Sequence, residues 1–257
     1  MLLNVCVAYL QTLLLFSTLV CCSAKTYAAE PSKVALSFQG ERAVAISQQL
    51  FAQGEFGKAL DNAELAIRSD PKSGIAQVHK AMILDRIKKT QKAHQSYAKA
   101  LKLSPTDGYV LNAVAISFCA RGQVKESDAL FVRAVQDTDY PIPQQALQNA
   151  GFCAFKAGNF VLAEQRFRSA LIADPQTVQS LELMSQIKFK QSNFFEARAF
   201  MQRREALGPL SVPLLQLAQQ IEKSAGDDRA AAQYQKQLVI LLQSQIQPPT
   251  GEGQKKP

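Results

Sequence analysis

Prolines recur at a fixed interval along this chain of 257 residues. Pro71 and Pro105 are 34 residues apart, and so are Pro175 and Pro209. From Pro105 to Pro175 the distance is 70 residues, which is two such intervals plus two residues. A fixed period of roughly 20 to 50 residues is typical of repeat architectures, in which each unit packs only against its neighbours. The spacing therefore predicts an array of short units.

A period of about 34 residues is that of the tetratricopeptide repeat (TPR), which is a helix-turn-helix unit. Setting the prolines at repeat position 32 fixes a frame, and positions are counted in that frame below. The frame predicts an all-α TPR superhelical solenoid. Its six repeats would span residues 40–73, 74–107, 108–143, 144–177, 178–211 and 212–246.

Positions that were not used to set the frame support it. Position 20 lies where the second helix must approach the first closely, and it holds a small residue in every repeat. These residues are Ala59, Ala93, Ser127, Ala163, Ala197 and Ala231. Position 27 is alanine in the first four repeats and then becomes Arg204 and Leu238, as expected near a terminal capping repeat.

Glycine recurs in the turn between the two helices, in "QGEF", "RGQV" and "AGNF". It allows the positive φ that commonly follows a helix end. The turn "QSNF" lacks glycine, and we expect Asn193 to adopt this conformation there.

The stretch "QDTDYPIPQQ", residues 136–145, interrupts the array and contains the two extra residues. Pro141 and Pro143 cannot both lie inside a helix, so repeat three should end early and the chain should step outward. Asp137 and Asp139 are expected to cap the turn rather than bind a metal, because no third ligand is nearby.

Catalytic motifs are absent from the sequence: it contains no GxSxG, GxGxxG, HExxH or CxxC pattern. His79 and His94, the only histidines, are expected to be solvated or hydrogen-bonded surface side chains. Cys119 and Cys153 occupy similar positions on neighbouring repeats, which are usually too far apart for a disulfide. Two buried thiols are therefore favoured, although an oxidising compartment would allow a bond. We expect no enzyme activity and no cofactor or metal.

What remains is a surface that could bind a peptide. First helices build the concave face of a TPR solenoid, and their inward positions carry apolar and amide side chains that suit an amphipathic helix or an extended peptide. The two asparagines of this set could hold a ligand backbone. The predicted groove residues are Val44, Gln48, Phe51, Val78, Met82, Tyr109, Asn112, Ile116, Asn149 and Phe152.

Residues 1–24 contain no charged side chain and resemble a secretory leader that ends at "LVCCSAK". Cleavage before Cys22 would leave that cysteine as the acyl acceptor of a lipoprotein, with residues 1–21 as the signal peptide. Cleavage after Ala28 would release a soluble periplasmic protein instead. Residues 22–39 are predicted to be a linker, and the proline- and glycine-rich tail 247–257 to be disordered.

These features together resemble the PilF/PilW family of type IV pilus biogenesis and stability proteins. The resemblance spans about residues 40–245. It depends on the six repeats behind a lipoprotein-like leader, on "QDTDYP" after "ALFVRAV", and on "LQNAGFCAFKAGNFVLAEQRFRSAL".

The resemblance implies an outer-membrane lipoprotein on the periplasmic face, anchored through Cys22. Such a pilotin binds the secretin of the pilus and promotes its localisation and multimerisation. The alternative is a TPR adaptor of another envelope machine, such as a tight-adherence pilus or a peptidoglycan-associated complex. No small-molecule substrate is expected. The net charge of +8 is scattered, which indicates a solvated helical surface rather than a nucleic-acid partner.

Overall fold

The computed structural model describes residues 36–246, which form twelve α-helices and no strand. The predicted signal peptide 1–21, Cys22, most of the linker 22–39 and the tail 247–257 lie outside the described residues. No helix between residues 36 and 246 combines the length and apolar character needed to cross a bilayer. The helices are α1 (Phe38–Ala52), α2 (Phe56–Ser69), α3 (Gly74–Arg86), α4 (Thr90–Leu103), α5 (Gly108–Ala120), α6 (Val124–Gln136), α7 (Pro143–Lys156), α8 (Phe160–Ala173), α9 (Val178–Lys190), α10 (Phe194–Glu205), α11 (Val212–Ser224) and α12 (Asp228–Ile246).

Each repeat is an antiparallel pair made of a first helix (odd-numbered) and a second helix (even-numbered). Backbones of neighbouring first helices touch, α1 with α3 and so on to α9 with α11. Between residues 36 and 246, no second helix makes such a contact with another second helix. The stack therefore curves with the first helices on its inner face. This arrangement confirms the predicted all-α TPR solenoid.

Position 8 of the first helix and position 20 of the second meet inside repeats one, three and five. Where either residue is serine, its hydroxyl donates to the backbone carbonyl of the other. Ser47 Oγ donates to the carbonyl of Ala59 at 2.8 Å, and Ser185 Oγ donates to that of Ala197 at 3.0 Å. In repeat three the direction is reversed, because Ser127 Oγ donates to the carbonyl of Ala115 at 2.8 Å. These contacts explain why only small residues fit at position 20.

The turn inside every repeat contains one residue with positive φ, and it is always at position 15. The expectation for repeat five was wrong, because Ser192 adopts this conformation with φ 58° while Asn193 has φ −90°. Asn193 caps α10 instead, since its Oδ1 accepts from the amide of Glu196 at 3.2 Å. The position 15 residues are Gly54, Lys88, Gly122, Gly158, Ser192 and Gly226.

The segment between α6 and α7 is partly buried and partly exposed, since Tyr140 is buried while Pro141 and Ile142 are exposed. Tyr140 turns into the core with only 5% of its surface exposed, and it packs against Gly108, where a Cβ would meet the ring at 2.6 Å. Asp137 Oδ2 accepts from the Gly108 amide at 2.7 Å, so this carboxylate caps α5. The early end predicted for repeat three is confirmed, because α6 ends at Gln136, and Tyr140 then fills space at the junction between the third and fourth repeats.

Contacts between repeats change character along the array. Position 21 of one repeat faces position 11 of the next. Between repeats one and two these positions are Leu60 and Leu84, which belong to the apolar core. Between repeats four and five, Lys188 lies buried and donates to Glu164 at 2.6 Å. Between repeats five and six, Arg198 forms a two-point ion pair with Glu222.

Gly151→Ala should destabilise the protein, because the added Cβ would lie 2.6 Å from the ring of Phe167 at the position 8 contact. Crowding of this kind typically costs about 1 to 3 kcal/mol. Gly57→Ala is the matched control, since nothing lies within 4 Å of the Cβ it would add to α2. Urea unfolding should show a lower free energy of unfolding only for Gly151→Ala. Equal stability of the two variants would contradict the close contact.

Candidate peptide-binding groove

The first helices of repeats one to three line an open cavity of about 500 Å³ on the inner face. Phe51, Met82 and Ile116 supply its apolar lining. Met82 and Ile116 keep 37% and 46% of their surface exposed, so both are available to a ligand. Charged and polar groups also face this cavity, namely Asp85, Arg86, Lys88, Tyr97, Tyr109, Asn112 and Gln145.

Two further hollows continue this cavity along the inner face. One of about 130 Å³ lies towards repeat one and adds Gln48 and His79 to the lining. Another of about 490 Å³ lies towards repeat four and adds Asn149 and Phe152. The smaller hollow shares Phe51, Met82 and Tyr109 with the central cavity, and the larger one shares Ile116. We call the three together the groove. Eight of the ten predicted groove residues line it: Gln48, Phe51, Met82, Tyr109, Asn112, Ile116, Asn149 and Phe152.

Val44 and Val78 do not line the groove, and their prediction was wrong. Val78 is fully buried and packs in the main core cluster, while Val44 belongs to the cluster between repeats one and two. Both occupy position 5, which faces the neighbouring first helix because the first helices pack directly on one another. A ligand in the groove therefore cannot reach either side chain.

His79 is buried between three repeats, contrary to the expectation that it lies at the surface. Its exposed fraction is 6%. Nε2 of His79 faces Nε2 of Gln48 at 3.1 Å and the hydroxyl of Tyr109 at 3.2 Å. An amide nitrogen can only donate, so Nε2 of the histidine accepts and its ring proton lies on Nδ1. Burial lowers the pKa of His79 to about 4, which keeps the ring neutral.

This polar contact joins the first helices of the first three repeats behind the apolar lining. Burial also raises the pKa of Tyr109, so its phenol stays protonated beside the imidazole. The predicted pair of asparagines is linked as well, since Asn149 Nδ2 donates to Asn112 Oδ1 at 3.1 Å. The groove wall is therefore fixed by hydrogen bonds across four repeats. Asn112 keeps only 9% of its surface exposed, and the capacity of this pair to hold a ligand backbone stays a prediction.

Cys119 and Cys153 form a disulfide between α5 and α7, so the two separate thiols favoured by the sequence are corrected. Their Cα atoms are 5.7 Å apart, within the usual range for such bonds. The sequence argument failed because it assumed the usual separation of equivalent positions on neighbouring repeats. Residues that point towards each other where two helices meet lie much closer than the axes do. The disulfide lines the groove next to Phe152 and Lys156.

Gln145 and Tyr97 are two of the groove residues that the sequence prediction did not include. Gln145 occupies position 2 of repeat four, where Tyr109 stands in repeat three, so the inward-position rule could have identified it. Tyr97 belongs to the second helix α4, and no inward rule covers it. It donates a hydrogen bond to Asp85, and burial is the main cause that raises its pKa.

Comparison with known proteins places the fold among TPR proteins. The family described as the N-terminal TPR repeats region of Psidin matches residues 43–167. Among curated protein sequences, none matches this chain.

Three solved structures are similar to the chain. The crystal structure of PilW, a widely conserved type IV pilus biogenesis factor, has a TM-score of 0.70 and 27% identity, and the match covers 80% of this chain and 95% of that chain. The structure of pilF from Pseudomonas aeruginosa has a TM-score of 0.69 and 20% identity, covering 82% of this chain and 93% of that one. A TPR protein from Parabacteroides merdae has a TM-score of 0.57 and 18% identity, covering 79% and 80%.

Acid should destabilise the protein through His79. Its pKa is about 4 in the folded state and near 6.5 when unfolded, so the unfolded chain binds more protons between these values. The neutral ring makes its full contribution to the free energy of unfolding above pH 6.5. This contribution decreases as the pH drops towards 4, by up to about 3 kcal/mol. Urea unfolding at pH 7 and 4.5 should show this loss in the wild type and a smaller one in His79→Gln. An equal acid loss in both proteins would contradict the buried neutral ring.

Removing the disulfide should lower the stability of the central repeats. It joins cysteines 34 residues apart, and closing a loop of that length restricts the unfolded chain by about 3 to 4 kcal/mol. Cys119→Ala combined with Cys153→Ala should therefore unfold at lower urea concentration than the oxidised wild type. Wild-type protein treated with dithiothreitol should match the double variant. A double variant as stable as the oxidised protein would contradict a stabilising bond.

Proposed function

We propose that this chain is an outer-membrane-anchored TPR pilotin that binds the secretin subunit of a type IV pilus. In this role the groove holds a segment of the secretin, while an acyl chain on Cys22 directs the complex to the outer membrane and promotes secretin multimerisation there. The observation that carries the proposal is the open, largely apolar groove of the first repeats, in a chain whose fold matches PilW over most of both proteins.

The chemistry of the groove suits an amphipathic segment of a partner protein. The apolar side chains of Phe51, Met82 and Ile116 lie along its length and can bury the apolar face of a helix or extended peptide. Asp85 and Arg86 provide charges of both signs beside them, which can fix the direction and register of the bound segment. The hydrogen-bonded wall behind the lining lowers the entropic cost of binding, because its side chains are already ordered.

Support for the cellular location comes from the disulfide. Disulfide bonds persist in oxidising compartments such as the bacterial periplasm and are rare in the cytosol. The Cys119–Cys153 bond therefore favours a periplasmic site for the solenoid. The type IV pilus role is supported by the likeness to PilW at 27% identity, since the pilF structure at 20% identity supports only the fold.

A groove variant should fail to support secretin assembly. Met82→Asp combined with Ile116→Asp places two carboxylates in the apolar lining, where a bound segment would have to desolvate them. Central interface residues of this kind typically contribute more than about 2 kcal/mol, so affinity should fall at least 30-fold. In a strain lacking the wild-type gene, this variant should leave normal secretin monomer but few detergent-resistant multimers.

The matched control is Val161→Asp, which also adds a carboxylate at an exposed apolar position. Val161 is 79% exposed on α8 and lines none of the three hollows of the groove. This variant should keep wild-type levels of multimers. Full multimer assembly with the groove variant, at equal protein level, would refute the pilotin proposal and favour an adaptor for another envelope machine.

The anchor is tested separately by intact mass spectrometry of the mature N-terminus. An acylated Cys22 is the expected result. A chain that begins at Ala29 would mean release into the periplasm and would leave the groove's role to be judged on the multimer experiment alone. If Cys22 is acylated, Cys22→Ala should lower the fraction of the protein found in the membrane without weakening its binding to the secretin.

A further inference from the structure

The second helix of repeat two, α4, differs from every other second helix in its charges. It contains Lys92, Lys99 and Lys102 and no aspartate or glutamate, and Lys89 immediately precedes it. The other five second helices of the described solenoid each contain at least one carboxylate. Examples are Asp61 on α2 and Glu126 on α6.

The lysines form a narrow stripe on the outer side of the helix. Lys92 and Lys99 are seven residues apart, and Lys99 and Lys102 are three residues apart. This spacing places them on one face of the helix over a length of about 15 Å. Every one of them is exposed, as is Lys89. The opposite face of α4 is the one that packs into the repeat, through Ala93, Ser96, Tyr97 and Ala100. We call Lys89, Lys92, Lys99 and Lys102 the lysine face.

Nothing within the described part of the chain neutralises this face. None of the four lysines forms a salt bridge with a described residue, whereas arginines on α8 and α10 pair with carboxylates. Four unpaired ammonium groups on one side of one repeat produce a local positive potential. None of the four lysines lines a hollow of the groove, so the face is free when the groove is occupied.

The residue types indicate what kind of anionic partner fits. Protein interfaces are enriched in arginine and aromatic side chains and depleted in lysine, and selective phosphate recognition favours the planar arginine fork. The lysine face contains neither arginine nor an exposed aromatic residue. Flexible lysines on a convex surface suit a diffuse layer of anionic head groups, and each contributes about fivefold to the affinity for such a membrane.

We propose that the lysine face of α4 is a docking surface for the anionic phospholipid head groups of a membrane. Contact through this face would orient the solenoid on the bilayer with its groove turned away from the lipid. The surface acts independently of acylation at Cys22 and of the partner bound in the groove.

Vesicle flotation with the chain from residue 22 onwards tests this proposal. Every protein carries Cys22→Ala, so that neither the predicted signal peptide 1–21 nor an acyl chain contributes to binding. The protein with Cys22→Ala as its only substitution should bind vesicles of phosphatidylethanolamine and phosphatidylglycerol but not vesicles of phosphatidylcholine. Lys92→Gln, Lys99→Gln and Lys102→Gln together should weaken binding about 100-fold. Raising the salt from about 0.1 M to 1 M should abolish it, because screening then extends only about 3 Å.

The matched control removes three equally exposed lysines elsewhere: Lys125→Gln, Lys223→Gln and Lys236→Gln. It lowers the net charge by the same amount and should retain most of the binding. Equal binding by the α4 variant and the unsubstituted chain would overturn the proposal, as would an equal loss in the control. Binding to duplex DNA or polyglutamate through the same lysines, without binding to anionic vesicles, would also overturn the assignment to lipid. None of these outcomes depends on secretin assembly, so this proposal and the pilotin proposal can fail separately.

Discussion

The structure depends on the close approach of two helices inside each repeat, at positions 8 and 20. The hydroxyl of Ser47, Ser127 or Ser185 satisfies a backbone carbonyl across this contact, so the polar group is buried without losing a hydrogen bond. In repeats two and four, where neither residue is serine, alanine or glycine leaves the same space, and at Gly151 the ring of Phe167 fills it. Because the pairs are this narrow, first helices can stack on one another and present a continuous inner face.

The repeat frame was predictable because it follows from local spacing, and the fold follows from the frame. Details that depend on the backbone geometry within a turn could not be predicted in this way. Ser192 adopts the positive φ that was assigned to its neighbour, because position 15 is set by the length of the first helix rather than by residue preference. The sequence also did not predict how deeply each residue on the inner side of a first helix is buried. Val44 and Val78 share a periodicity with groove residues, but the next first helix covers them.

Contacts between distant parts of the chain account for the remaining errors. His79 was expected at the surface because a lone histidine carries no motif. Its burial depends on Gln48 and Tyr109, which are 31 and 30 residues away. The disulfide likewise depends on how α5 and α7 meet. Such contacts become predictable only when the packing of neighbouring repeats is known, because each involves residues from different units.

The array divides into parts with different physical properties. Repeats one to three join through apolar contacts and a neutral histidine, and they carry both the groove and the lysine face. From repeat four onwards, buried Lys188 and Glu222 are paired with charges on the preceding repeat. A buried ion pair adds little net stability over an apolar one, but removal of either partner is costly, so it restricts which surfaces can stack. An unmatched charge at either C-terminal junction would therefore be costly, whereas the exposed apolar residues of the groove lie on the N-terminal repeats.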